Sequence, residues 1–370
     1  MLNRVQHDGM ALPSPREEAW RWSDLSALPA LAAASPAPHT WQLRQLNWLD
    51  CRIEGPRLLF VDGRLDAEAS RLGPIAIGAV DADPRGHALA KRAGHRGWSL
   101  KLGRDHAPAG LIQIVHVSTG AADHLAAEIA LDVDAQASIV ETYLGEGWTN
   151  RLTGIRLAGS ARLMLSRRLL GANGFISLTD RAEIDAGASL TLTTLAAGGA
   201  DSRLDGALAL RGDSAFVEAG GALLARGSQR HDANLVLRHD ALSGMSRQVW
   251  RSVADDKAIC SVAARVEVAR GAQKTDGEQS LKGLLLARTA TINAKPELEI
   301  FADDVKCAHG ATVGELDRNA LFYLASRGVS PAEAKALLTQ AFVADAIDRI
   351  GEPAVREAFR ADAMAWLGGR

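Results

Sequence analysis

At 370 residues the chain is long enough for one large elongated domain or two ordinary ones, and 42 Lys and Arg against 44 Asp and Glu give a net charge of -2, with no global pull towards nucleic acid or acidic membranes. No apolar run approaches the roughly 20 residues that cross a bilayer, and Met1 to Pro15 lacks a hydrophobic signal core, so neither membrane insertion nor export is expected. Three widely spaced cysteines, Cys51, Cys260 and Cys307, make no disulfide framework and fit a reducing cytoplasm, while two Tyr and seven Phe among abundant Ala, Gly, Leu and Val suit stacked, repetitive packing.

From Leu12 to about Leu31 the chain starts like a helix: Ser14 can cap, Pro15 occupies the first turn, Glu17 follows Ser14 by three, and Trp20 and Trp22 would anchor it. The Ala/Pro/Ser-rich piece from Pro29 to Pro38 reads as a linker. Between about Gln42 and Leu111 the pattern is weakest, with a strand at Leu58 to Val61, a turn at Asp62-Gly63, and helix or loop from Arg85 to Gly97.

From about Leu111 to Thr312 the pattern is β throughout, in short strands separated by Gly, Asp and Asn. Blocks recur at Gln136, Gly159, Gly187 and Gly212, separated by 23, 28 and 25 positions, and Thr289 lies 77 beyond Gly212. A period in the twenties, each unit a turn followed by alternating apolar residues, predicts the coils of a β-solenoid of about 25 residues each. The competing β-sandwich needs tight hairpins, and only Asn173-Gly174 has an Asn-Gly signal. Gly198-Gly199 and Gly220-Gly221 are expected at turns that need φ > 0.

After Gly314 the period becomes helical. Leu316, Ala320, Leu321 and Leu324 mark one helix, Arg327-Gly328-Val329 the break, and Ser330-Pro331-Ala332-Glu333 a capping box opening a second. Ala334, Leu337, Leu338, Ala341, Phe342 and Ile347 share a side of that second helix, and a third is expected from Pro353 to Leu367. These helices are either a cap on the last coil or a docking surface. The expected division is 1–110 mixed, 111–314 solenoid and 315–370 helical.

Phosphate-binding loops, nucleophile elbows, CxxC and HExxH are all missing from the sequence. His116, His124, His231 and His239 have no metal spacing and read as surface or turn residues. Cys260, among apolar neighbours, reads as a buried inert thiol, and Cys51 has no partner. Asp303 and Asp304 are the nearest approach to a carboxylate pair, but adjacent strand residues face opposite sides, so a carbohydrate-active solenoid is the lesser alternative. The exception is Cys307-Ala308-His309, behind an alternating acidic and apolar run: in an extended chain the thiol and imidazole share a face, a donor pair suited to iron, zinc or copper. Two donors are half a site, a second chain could supply the rest, and a purely structural pair is the competing reading.

The runs Gly271-Ala-Gln-Lys-Thr-Asp276 and Lys295-Pro-Glu-Leu-Glu-Ile-Phe-Ala-Asp-Asp-Val-Lys-Cys-Ala-His-Gly-Ala-Thr312 closely resemble the SufB/SufD family. Leu321-Phe-Tyr-Leu-Ala-Ser-Arg-Gly328, the opening Leu12 to Leu25, and Gln229, Asp232 and His239 before Gln248 resemble it too. SufB is usually longer and has Glu where this chain has Gly310, which favours the SufD branch. The resemblance implies a right-handed parallel β-helix between helical ends, acting as a non-enzymatic scaffold in cytoplasmic iron–sulfur cluster assembly. It also implies pairing with a SufB-like subunit, a SufC-like ABC ATPase on the C-terminal helices, and a nascent cluster at the SufB interface with His309 first and Cys307 second as ligands. Leu321, Phe322, Leu324, Leu337, Leu338 and Phe342 are the candidate ATPase contacts. A homodimer of the isolated chain is compatible with this reading, and the sequence carries no signal for or against a flavin.

Overall fold

Alternation of small apolar and polar residues makes each short segment a strand, and a strand with one apolar face must bury it against a neighbour. In a computed structural model of the chain, which describes residues 5–7, 10–37, 46, 48, 49 and 53–368, that neighbour is the equivalent segment one coil away. The chain opens with the antiparallel pair β1 (Val5–His7) and β2 (Met10–Leu12), a 3-10 turn at Glu18–Trp20 and α1 (Leu28–Ala33). Then come β3 (Arg57–Val61), β4 (Arg64–Arg71), β5 (Ile75–Ala79) and β6 (Arg96–Leu102). The coils follow: β7 (Ile112–Leu131), β8 (Gln136–Leu157), β9 (Arg162–Leu169), β10 (Phe175–Ile184), β11 (Ser189–Ala196), β12 (Asp201–Leu210) and β13 (Phe216–Ala225). They continue through β14 (Arg230–His239), β15 (Met245–Ala254), β16 (Ile259–Val268), β17 (Asp276–Leu285), β18 (Thr291–Ile300) and β19 (Lys306–Glu315). Three helices close the chain: α2 (Arg318–Ser326), α3 (Pro331–Ile347) and α4 (Pro353–Gly368).

From β9 onward each strand pairs in parallel with the strand two places along, so odd-numbered and even-numbered strands build two facing sheets. The long β7 and β8 run through both sheets. The molecule is a parallel β-solenoid with short helices towards its ends, as expected. The turns stack as well as the strands. Asp105, Asp134, Ser160, Gly187, Ser214, Ser243 and Lys274 all have φ between 56° and 66°. The first six donate their N–H to Val133, Gly159, Ala186, Asp213, Leu242 and Gln273, each one residue before the next in the series, and Lys274 donates to Asp304. The backbone of each corner is thereby satisfied by the next coil.

Several expectations change in detail. The register sets the coil at 26 residues from Ile139 to Leu165 and 31 from Gln248 to Gln279, longer than the block spacing suggests. Gln136 pairs with Arg162, three residues beyond Gly159, and Thr291 belongs to the even sheet, so the Thr289 block is out of phase with Gly212. Asn173-Gly174 is a corner between parallel strands, whereas Asp62-Gly63, with φ of 46° and 72°, closes a true antiparallel hairpin. Gly220 lies inside β13, where a Cβ would collide with the carbonyl of Val249 in the next coil, so close stacking and not a turn requires it. The N-terminal helix is reduced to one 3-10 turn and the six residues of α1, five of which lie in the stretch read as linker. Asp303 and Asp304 sit in the corner between β18 and β19, not in a strand.

The segment of weakest pattern adds a first rung, since β3 and β6 both pair in parallel with β7. Its 3-10 turn at Ala90–Ala93 packs with Val80 on Leu152 and Ala126, against the even sheet. At the other end α3 and α4 lie along the outer face of the odd sheet. Val343, Ile347, Val355 and Phe359 meet Leu195, Leu224, Val253 and Leu284, and Arg251–Asp345, Arg349–Glu218 and Arg168–Asp362 pin the edges. The cap alternative is therefore overturned: the helices flank the sheet and leave the last strand, β19, largely exposed and β18 mostly half-buried.

Candidate functional site

β19 pairs with β17 on one side and, among the described residues, with no strand on the other. An edge strand offers a row of free backbone N–H and C=O groups. Register decides which of its side chains enter the lumen. Cys307 stands over Gly277, which stands over Ser246, and a Cβ at Gly277 would lie 3.5 Å from Cys307 Sγ, 3.6 Å from Ser246 Oγ and 3.6 Å from Val266 of the opposite sheet. Cys307 therefore points inward, and by the two-residue period His309 does too, at the open mouth.

Two lumen columns end at these residues. One runs Ala137, Leu163, Leu190, Val217, Ser246, Gly277, Cys307 and the other Ile139, Leu165, Leu192, Ala219, Gln248, Gln279, His309. Both are apolar for four coils and become polar or bare over the last three. Gln248 and Gln279 are fully buried, and His239 Nε2 shares a 2.9 Å hydrogen bond with Ser246 Oγ. The sequence reading missed this layer, because the two glutamines become neighbours only when coils are aligned on their turns.

Cys307 is half-buried, and burial raises its thiol pKa, opposed by the Gly277 amide and reinforced by Asp276. The thiol is thus protonated near neutrality and becomes a ligand only when a metal or a neighbouring cation draws off the proton. His309 is exposed. Among the described residues no cluster of three or more His, Cys, Asp or Glu could hold a metal ion, so the pair has two donors to offer and the others must come from elsewhere. Ile300, Val313 and Phe301, the last 65% exposed, frame the mouth with apolar surface.

Cys260 is buried as expected, its thiol pushed far up by desolvation and placed 3.7 Å from the Val253 carbonyl. Cys51 lies outside the described residues. The histidine expectation fails for three of four: His116, His231 and His239 are fully buried because they occupy strand positions with hydrogen-bond partners, and His124 is half-buried. Of the six helix residues singled out, Phe322 is 77% exposed and Leu337 48%, while Leu321, Leu324, Leu338 and Phe342 are half-buried. The buried side of α3 is Ala334, Thr339, Val343, Ala346 and Ile347, a stripe rotated from the one expected, because Val343 and Ile347 face the sheet.

A family model described as "SUF system FeS cluster assembly, SufBD core domain" matches residues 115–342, from β7 into α3 and across both mouth residues. The chain belongs to the SufBD family. Over 394 aligned positions it is 27% identical to the iron-sulfur cluster assembly protein SufD of Escherichia coli, covering 97% of this chain and 89% of that protein. A SufBD family protein of Synechocystis is 37% identical over 124 residues, 34% of this chain and 27% of the relative. SufD of Bacillus subtilis is 28% identical over 169 residues, 42% of this chain and 39% of the relative. These similarities support a SufD-like role in iron–sulfur cluster assembly and give none to the carbohydrate-active alternative. SufBD proteins form a scaffold family. No described helix is long and apolar enough to cross a membrane.

Proposed function

We propose that this chain is a SufD-like scaffold subunit of a cytoplasmic SufBCD-type complex, and that its open mouth presents His309, with Cys307 second, to a nascent iron–sulfur cluster completed by a SufB-like subunit. The cluster is cargo, assembled and passed on. One observation carries the reading: a soft sulfur and an imidazole share the inward face of an edge strand that the chain's own helices leave uncovered. The free edges of β18 and β19 and the apolar rim of Phe301, Ile300 and Val313 suit a second solenoid stacked end to end, and a homodimer of the isolated chain would use the same surface. Packing of the dimer contact alone is the competing role for the two side chains.

His309→Ala removes one donor and leaves the strand alternation intact. It should keep subunit association unchanged and lower the cluster content of the anaerobically purified complex about 10–100-fold, the usual cost of losing a ligand or its support. Cys307→Ser should be milder if the thiol only packs. Iron, sulfide and visible absorption, scored beside subunit stoichiometry, decide the matter: normal content in His309→Ala ends the ligand reading, and a complex that falls apart favours packing.

The SufC-like ATPase would dock on the helices from about Asp317 to Ile350, where α2 buries none of its residues, Phe322 and Leu337 are exposed, and Leu321, Leu324, Leu338 and Phe342 are half-buried. Phe322→Asp with Leu337→Asp should abolish co-purification of the ATPase while leaving the melting temperature within a few degrees, since exposed substitutions cost within about 0.5 kcal/mol each. Full ATPase recovery with the double variant would refute the assignment.

A further inference from the structure

Resting on the reading of His309 as a ligand, we propose that Gln279 is the positioning residue that fixes its imidazole. The two residues are register partners on adjacent parallel strands, and both belong to the lumen column. Strand neighbours lie about 4.8 Å apart, so the side chains stack in direct reach. Gln279 is 1% exposed, and its Nε2 donates across the lumen to the carbonyl of Ala264 at 2.8 Å. That bond fixes which end of the amide is donor and which acceptor. The remaining polar atom, Oε1, is buried and has no hydrogen-bond partner among the described residues.

A buried amide oxygen without a donor is unfavourable, and a lumen position can be filled without one: the same column holds Ala219, Leu192 and Leu165 in deeper coils. The next side chain up the column is an imidazole, which in its neutral form carries one N–H and one lone pair. An N–H donated by His309 to Gln279 Oε1 satisfies the amide and selects the tautomer. The other ring nitrogen is left bare and aimed at the mouth, where iron would be met. Gln248, one coil deeper in the same column, donates likewise to the Arg265 carbonyl at 3.2 Å, and its own Oε1 is also buried without a hydrogen-bond partner among the described residues. Gln279 differs in having an imidazole as its neighbour towards the mouth.

The test uses the full chain labelled with nitrogen-15 histidine at a fixed pH where the imidazole is neutral, with the His309 signals assigned by their loss in His309→Ala. The wild type should show one predominant His309 tautomer. Gln279→Met, which keeps volume and loses the acceptor, should give a mixture, and Gln279→Asn, which withdraws the amide by one methylene, should do the same if the methionine variant fails to fold. Gln279→Glu restores an acceptor and should restore the single tautomer. In the assembled complex, cluster content should fall about 10-fold in the Met or Asn variant and recover in Glu. An unchanged tautomer in Gln279→Met and Gln279→Asn overturns the inference, even where His309→Ala loses its cluster. A scrambled tautomer beside normal cluster content in His309→Ala supports the positioning contact and defeats the ligand reading on its own.

Discussion

Arg167→Met is expected to cost about 3–5 kcal/mol, a large share of the roughly 5–15 kcal/mol that holds a domain folded. The side chain lies in the lumen of the early coils, 1% exposed. It donates from Nε to Glu141 at 2.7 Å, from Nη1 and Nη2 to Asp180 at 2.6 and 2.9 Å, and from Nη2 to Thr153 at 3.1 Å. Glu141 also accepts from His116 Nε2 at 3.3 Å, and His116 Nδ1 accepts from Arg151, itself paired with Asp123. Methionine fills much of the volume but leaves two carboxylates buried and without a cation, which is far costlier than never having built the cluster. Urea unfolding at pH 7 should show a much lower midpoint or insoluble protein, and a midpoint within about 1 kcal/mol of wild type would refute the argument.

The same network predicts a pH dependence. Burial alone would raise the pKa of Glu141, but Arg167 and the His116 bond overcome it and hold the group at about 2, against 4.5 unperturbed. A depressed acid stabilises the fold above its unfolded value and loses that contribution as pH falls through the folded value. The Glu141 contribution is therefore complete above about pH 4.5 and drains away towards pH 2. In Arg167→Met this part of the acid sensitivity should vanish, visible as a flatter plot of urea midpoint against pH across that window.

Arg203→Ala should detach the N-terminal segment. On the outer face of the even sheet Arg203 bridges Asp205, at 2.8 and 2.6 Å, and Asp232, donates to the Ala19 carbonyl at 2.7 Å and lies 4.6 Å over the Trp20 ring. Ser23 Oγ donates to Asp232, and His87 reaches Asp205 at 3.1 Å, so one guanidinium joins the opening segment, the 80–95 loop and the sheet. Its loss leaves two buried carboxylates without their cation, at about 3–5 kcal/mol, and removes a cation–π contact of about 0.5–2 kcal/mol. Limited proteolysis should then cut between residues 13 and 34 much faster than in wild type. Unchanged protection of that segment would show that Trp20 and Leu25 hold it without the charge cluster.

What could be read from sequence was whatever depends on neighbours a few residues away. Strand alternation and repeated turn residues determined a stacked β-solenoid, the Ser330 to Glu333 capping box determined the start of α3, and Cys307 and His309 had to share a face if extended. The phase of the coils did not follow, because corners lengthen along the chain and equivalent positions drift from 26 to 32 residues apart. Only strand pairing places Gln279 beneath His309, brings Glu141 and Asp180 to one arginine, and carries His116, His231 and His239 inside. Only packing decides that α3 and α4 lie along the odd sheet, through contacts such as Phe359 with the apolar outer face, and so leave the final coil open. Those outcomes depend on burial between segments far apart in the chain, and local propensity contains no record of it.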